Sequence, residues 1–163
     1  MIEIEYNRKL AKEYAKKWAY LRNPKYYNYE NVGGDCTNFV SQCIFSGCGI
    51  MNYNKNGWYY NNANDKSPSW TGVEFLKNFL LNNKSVGPYG KIVKLSKLME
   101  GDIIQISFDG ITFAHSLMIV EKLADDFDNI FVATHTLDSY GRTVSNYVFQ
   151  DIRAIHIEGI RKW

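Results

Sequence analysis

The stretch Gly33-Gly34-Asp35-Cys36-Thr37-Asn38-Phe39-Val40-Ser41-Gln42 places a cysteine where a loop gives way to a helix. Two glycines permit a sharp backbone turn, and aspartate at 35 is a favoured N-cap residue. Cys36, Phe39, Val40, Cys43, Ile44 and Gly47 recur at helical spacing, which predicts an amphipathic helix with a core-facing stripe. Cys36 then lies in the first turn, where unpaired N–H groups and the helix dipole favour negative charge. Both effects lower a thiol's pKa, and the thiolate is the nucleophile. Cysteine is equally common as a small buried hydrophobe, so its partners decide its role.

A chain of 163 residues, 45% hydrophobic and 22% charged, fits one ordinary globular domain over 1–163. A net charge of +2, with the basic residues dispersed, gives no footprint for nucleic acid. Three cysteines leave at least one free. Cys36 and Cys43, seven residues apart on one helix, are roughly 10 Å apart, too far for a disulfide. Cys43 and Cys48 read as packing residues. No C-x-x-C pair occurs, so the usual zinc spacing is missing, and no cofactor is expected. Residues 1–10 carry mixed charges and no apolar run, so neither a signal peptide nor a membrane span is expected. The chain reads as cytoplasmic if full-length, and as cell-wall or secreted if it is a trimmed domain.

Tyr6, Leu10, Ala11, Tyr14, Ala15, Trp18 and Leu21 predict a first helix, closed by Asn23-Pro24. A tyrosine-rich connector, 25–32, leads to the cysteine helix, and 49–68 reads as a long polar and aromatic loop. Thr71-Gly72-Val73-Glu74 has the form of a capping box opening a third helix. Asn82-Asn83 and Gly87-Pro88 close the helical half. The period then changes to 2, with β-prone runs at 92–95, 103–107, 113–121, 130–136, 147–149 and 152–157. Helices first and antiparallel strands second define an α+β domain.

Cysteine catalysis needs a base and a group that orients it. His115 lies in Phe113-Ala114-His115-Ser116-Leu117-Met118-Ile119-Val120, and His135 ends Ile130-Phe131-Val132-Ala133-Thr134-His135. A hairpin with Val120 opposite Ile130 sets His115 directly opposite His135, close enough for one imidazole to hold the other's tautomer. A slip of one residue sends the rings to opposite faces. Satisfied core histidines are the alternative reading of both, and His156 reads as structural.

The sequence resembles a known family. Tyr6-Asn7-Arg8, Tyr14-Ala15, Asn23-Pro24, the 33–42 cysteine motif, Trp58-Tyr59-Tyr60, Ser69-Trp70, Gly101-Asp102, His115-Ser116 and His135-Thr136-Leu137-Asp138 are similar to the Putative amidase domain family, a branch of the NlpC/P60-like, papain-related cysteine peptidases. The resemblance runs from about Tyr6 to Asp138. It implies a papain-like fold, with N-terminal helices carrying the nucleophile packed on an antiparallel sheet that carries the base. By the resemblance Cys36 is the nucleophile, His115 the general base and acid, and His135 the third, orienting residue. Many NlpC/P60 relatives cut amide bonds in cell-wall peptides, so the implied partner is a peptide or peptidoglycan-derived amide.

Asp138 is the rival for the third position. Asp35 reads as a helix cap that could be drawn into the site, and Trp58, Tyr59 and Trp70 as walls of a substrate cleft. Papain-like relatives often bind the oxyanion with an upstream glutamine, and none precedes Cys36. The Cys36 N–H can supply one donor, and the resemblance makes Tyr26, Tyr27 and Tyr29 candidates for the second, which stays open. The leading function is a thiol hydrolase working through an acyl-enzyme. Acyl transfer to an amine uses the same machinery, a non-catalytic binding module would share the scaffold, and a zinc site of Cys36, His115 and His135 is the metal alternative.

Overall fold

The computed structural model describes residues 1–163. In chain order the elements are β1 (Ile2–Ile4), α1 (Arg8–Trp18), α2 (Cys36–Cys48), the small hairpin β2 (Tyr60–Asn62) and β3 (Asp65–Lys66), α3 (Pro68–Thr71), α4 (Val73–Asn82), β4 (Gly87–Val93), β5 (Ile103–Ser107), β6 (Phe113–Lys122), β7 (Ile130–Thr134), β8 (Ser139–Thr143) and β9 (Asp151–Lys162). Seven strands form one antiparallel sheet in the order β1-β9-β5-β6-β7-β8, with β4 also paired to β9. The expected α+β arrangement of helices before sheet is therefore present, with strand β1 added from the chain's start.

The helices pack on one face only. Phe39, Val40, Cys43 and Ile44 of α2 join Met118 and Val120 of β6, Ala133 of β7 and Ile155 and Ile157 of β9 in the larger core. The opposite face buries Ile104, Ile106, Leu117, Ile119, Ile130 and Val132 beneath loop residues such as Leu98 and Val144. Burial on both faces explains why β5 and β6 read as nearly continuous apolar runs instead of clean alternation.

Local chemistry at the helix starts differs from the expected caps. Asn7 caps α1, its side chain accepting from Leu10 N at 3.0 Å. Asp35 makes no such capping bond to α2; its carboxylate is drawn elsewhere, as described below. The capping box at Thr71 does not form, because Gly72 holds the N-cap position of α4 and Glu74 turns outward to Lys77 and Arg153. Gly87-Pro88 closes the helical half by opening β4, whereas 147–149 is not a strand. The Asp109-Gly110 turn forms as expected: Asp109 Oδ1 accepts from Ile111 N and Thr112 N, and Gly110 has φ 80.

Two of the resembling motifs are structural. Tyr6 donates its hydroxyl to Gly101 O at 3.1 Å, and Arg8 reaches Asp102 Oδ1 at 2.7 Å, Glu100 O and Ile157 O. Asp102, fully buried, also accepts from His156 Nδ1, Met99 N and Ile157 N. This network ties the start of the chain to β5 and β9 and accounts for His156.

The register decides the histidines. In β6 and β7, Lys122 opposes Ile130 and Glu121 opposes Phe131; a bulge follows, and Ile119 opposes Val132 and Met118 opposes Ala133. The expected pairing is therefore displaced by one residue at the histidine end. Strand alternation places His115 with Leu117 and Ile119 on the face away from the helices, and His135 on the helix side.

Candidate active site

Cys36 opens α2, 7% exposed, packed where the helix start meets β6. The contact is held by Thr37 Oγ1 and Ser116 Oγ at 2.9 Å, and Ser116 Oγ also accepts from Gln105 Nε2. The Ser116 backbone N–H and the hydroxyl and N–H of Thr37 act on the Cys36 sulfur and favour its charged form. Ser116 follows His115, so the thiol and the imidazole belong to adjoining positions of one strand edge. No direct hydrogen bond joins Cys36 Sγ to His115, and the nearest polar side-chain partner of the sulfur is Thr37 Oγ1 at 3.8 Å.

The helix start does not lower the thiol's pKa on balance. Burial pushes Cys36 up and outweighs the donors around it. The same burial pushes Cys48 up to about 12 and Cys43 well above the ordinary range. All three cysteines are free, and only Cys36 has peptide N–H donors from a strand and a first helical turn acting on its sulfur.

His115 is buried and neutral. Burial and then the Arg142 guanidinium hold its imidazole down to about 4. Its Nε2 lies 3.3 Å from Thr134 Oγ1, and that hydroxyl donates to His135 O at 2.7 Å, with Ser116 O at 3.2 Å. A hydroxyl has one hydrogen to give. With that hydrogen directed to a carbonyl, Thr134 Oγ1 accepts from Nε2–H, leaving the lone pair on Nδ1.

His135 does not orient His115. Its Nδ1 meets Asp35 Oδ2 at 2.5 Å, its Nε2 meets Trp18 O at 2.8 Å, and its ring stacks on Phe39 at 4.1 Å. A carbonyl oxygen only accepts, so Nε2 carries a hydrogen. Asp35, whose Oδ1 already accepts from Tyr29 N and Asn38 Nδ2, engages Nδ1 through its other oxygen. With Nδ1 held by Asp35 and Nε2 by the Trp18 carbonyl, neither ring nitrogen is free to take a thiol proton. Asp35 is thus the anchor of the α2 entry loop, not its cap.

The remaining candidates are dispersed. Asp138 makes a bidentate pair with Arg22, at 2.9 Å on each oxygen, and Arg22 also reaches Glu30. Trp58 and Trp70 are fully buried, donating to Ser41 Oγ and Asn38 Oδ1, so they are core and not cleft walls. Tyr59 stacks on Tyr53 and donates to Asp65, away from the helix start. Of the three connector tyrosines, Tyr29 has a buried hydroxyl without a partner. No three His, Cys, Asp or Glu side chains converge as a metal ligand set, so Cys36, His115 and His135 do not form the zinc alternative. Two surface clefts, about 540 and 750 Å³, lie beside α1 and beside α4, and neither is lined by Cys36 or His115. Thr134, Arg142 and Tyr147 were not singled out in the sequence; a hydroxyl at 134 inside an apolar run is the one signal that pointed there.

A helix-start cysteine is thus set against an antiparallel sheet bearing two histidines. The chain belongs to the family described as Putative amidase domain, whose model matches residues 5–158. It is also similar to the "Uncharacterized protein YhbB" of Bacillus subtilis (strain 168), at 34% identity over 140 residues. The match covers 83% of this chain and 43% of that relative, so the chain spans less than half of the relative's length. No solved structure matches it. Membership of this family points to hydrolysis of amides. No helix is long and apolar enough to cross a membrane.

Proposed function

We propose that the protein is a cysteine amidase of the NlpC/P60-like, papain-related type, a single catalytic domain over 1–163 that cleaves an amide through an acyl-enzyme on Cys36. The observation that carries this reading is the hydrogen bond between Thr37 Oγ1 and Ser116 Oγ at 2.9 Å, which sets the Cys36 end of α2 against β6 one residue from His115. Burial keeps the thiol protonated and the imidazole neutral at neutral pH, so the resting pair is thiol and base. Approach of the carbonyl then couples the two events: His115 Nδ1 takes the thiol proton as sulfur attacks, and returns it to the departing amine. Thr134 holds the Nε2–H tautomer that this requires, in place of His135 or Asp138.

The developing oxyanion meets the unpaired N–H groups of the first turn of α2, beginning with that of Cys36. We assign the second donor to the Tyr29 hydroxyl, buried without a partner on a residue tied to Asp35. The substrate class is a peptide amide of cell-wall composition. Incubation with such peptides, followed by mass spectrometry of the quenched protein, is the test: the expected results are cleavage and an acyl adduct mapped to Cys36, both lost in Cys36→Ala. Cleavage surviving in Cys36→Ala overturns the reading.

A further inference from the structure

Arg142 stands apart from the other arginines. Arg8, Arg22, Arg153 and Arg161 each pair with a carboxylate within 4.0 Å, at Asp102, Asp138, Glu74 and Glu3 respectively. Arg142, the remaining one of the five arginines, has none. Its partners are the Asn146 carbonyl, which accepts from one terminal nitrogen at 2.5 Å, and the face of Tyr147, 4.2 Å from the guanidinium carbon. These leave most of its hydrogens undirected, since a guanidinium offers five.

The setting of Arg142 is the outer side of His115. Arg142 on β8 opposes Val132 on β7, and Val132 shares with Thr134 the face that carries His115. The Tyr147 ring bridges the two, its centroid 6.1 Å from that of His115. The Tyr147 hydroxyl is shut off from solvent and makes no hydrogen bond, although Arg142 and Ser139 lie close enough to favour its ionised form. A guanidinium without a counter-ion and a buried hydroxyl without a partner thus converge beside one imidazole. The hydroxyl is costly to bury unpaired, and the partly exposed guanidinium is open to an anion from solvent.

We infer that Arg142 and Tyr147 form a recognition site for a carboxylate of the substrate, set beside His115, so that the amide cleaved carries an acidic group close to the scissile bond. This rests on the reading of His115 as the base. A planar carboxylate matches the guanidinium fork and can accept the Tyr147 hydroxyl at the same time. Occupancy also acts on the base. Arg142 is the one charged group that bears on the His115 imidazole, and Thr134 and Tyr147 face it as neutral hydroxyls. A carboxylate over Arg142 cancels the cation's pull, so His115 becomes a stronger base when an acidic substrate is in place.

The test is an NMR titration of the His115 imidazole in the intact protein with succinate, its neutral analogue succinamide, and inorganic phosphate. Succinate is expected to raise the His115 pKa by about one unit, and succinamide to leave it unmoved. Arg142→Gln is expected to raise the resting pKa and to abolish the succinate effect; Tyr147→Phe, which keeps the ring, is expected to weaken succinate severalfold. An unmoved His115 in saturating succinate overturns the inference, as does an equal shift in Arg142→Gln. A larger response to phosphate than to succinate overturns the carboxylate assignment. Because no turnover is needed, loss of the carboxylate site is separable from loss of the amidase reading, which fails only if Cys36-dependent cleavage is absent.

Discussion

On the helix-covered side of the sheet, His135 is held at three points: Asp35, the Trp18 carbonyl and the Phe39 ring. On the other side, His115 has one weak hydroxyl partner at 3.3 Å and an unpaired guanidinium nearby. Both rings are nearly inaccessible, at 1% and 6% exposure, so burial does not separate them. Hydrogen-bond capacity does. A ring with both nitrogens engaged is a brace, whereas a ring with one nitrogen free and its charged form disfavoured can serve as a base. On the proposed reading the two histidines of one hairpin divide between structure and chemistry.

Alanine at each position gives the largest expected difference. His115→Ala should lower kcat/KM by about 10²- to 10⁴-fold per folded molecule, with a loss of stability limited to the cavity left by the ring. His135→Ala should instead cost about 1–3 kcal/mol of stability for the lost hydrogen bonds, since Asp35 Oδ2 then keeps only Arg22 Nε at 3.6 Å, with activity retained in whatever fraction stays folded. Denaturant unfolding and steady-state kinetics on both variants check this. The assignments exchange if His135→Ala folds normally and is inactive.

Thr134→Val is the sharper probe of the same contrast. It removes one hydroxyl and keeps the shape, and a hydrogen bond of about 1 kcal/mol sets a loss of up to about tenfold in kcat/KM. The loss should fall on kcat more than on KM, since the hydroxyl acts through the base and not on the substrate. Thr134→Ser should restore most of it. A Thr134→Val enzyme with full kcat removes Thr134 from the mechanism.

The cysteine helix, the α+β order and strands such as β5 were legible because each rests on local signals: helical spacing behind two glycines, and a change of period from 3.6 to 2. The register of β6 and β7 was not, because the bulge between Ile119 and Glu121 leaves no mark in an apolar run. That one residue moved His135 from beside His115 to beside Asp35. Trp58 and Trp70 misled for a related reason, since a tryptophan next to a polar loop reads as a wall until its ring is seen packed inside. β8, Ser139-Tyr140-Gly141-Arg142-Thr143, is too polar to register as a strand, and with it Arg142 escaped notice.

The pH profile tests how firmly His115 is kept neutral. With its pKa held down to about 4, kcat/KM should stay flat from neutral pH down to about pH 5 and fall by about half at pH 4. A histidine at its ordinary value near 6.5 would lose activity across that interval. Stability moves in the same direction. Between 6.5 and 4 the unfolded chain binds a proton that the folded chain refuses, so acidification withdraws stability and rising pH returns it. An acid limb centred near 6.5 would show that His115 is more open to water than its burial indicates.

Asp138 gives the smallest expected effect. Its bidentate pair with Arg22 spans from the connector after α1 to the turn after β7, where Thr136 and Leu137 adopt φ 68 and φ 56. Backbone of that kind is held by its surroundings, and the Arg22 clamp is one such restraint. Both side chains are about a quarter exposed and Arg22 keeps Glu30 after the change, so Asp138→Ala should cost less than about 1 kcal/mol. The cost should shrink further in high salt. Since His135 stays braced by Asp35 and Trp18, and His115 by Thr134, kcat/KM should change less than about twofold, a few tenths of a kcal/mol. If Asp138→Ala instead lowers kcat more than Thr134→Val does, then Asp138 swings from Arg22 to His115 during turnover. The division between bracing and reacting histidines would then have to include a mobile third residue.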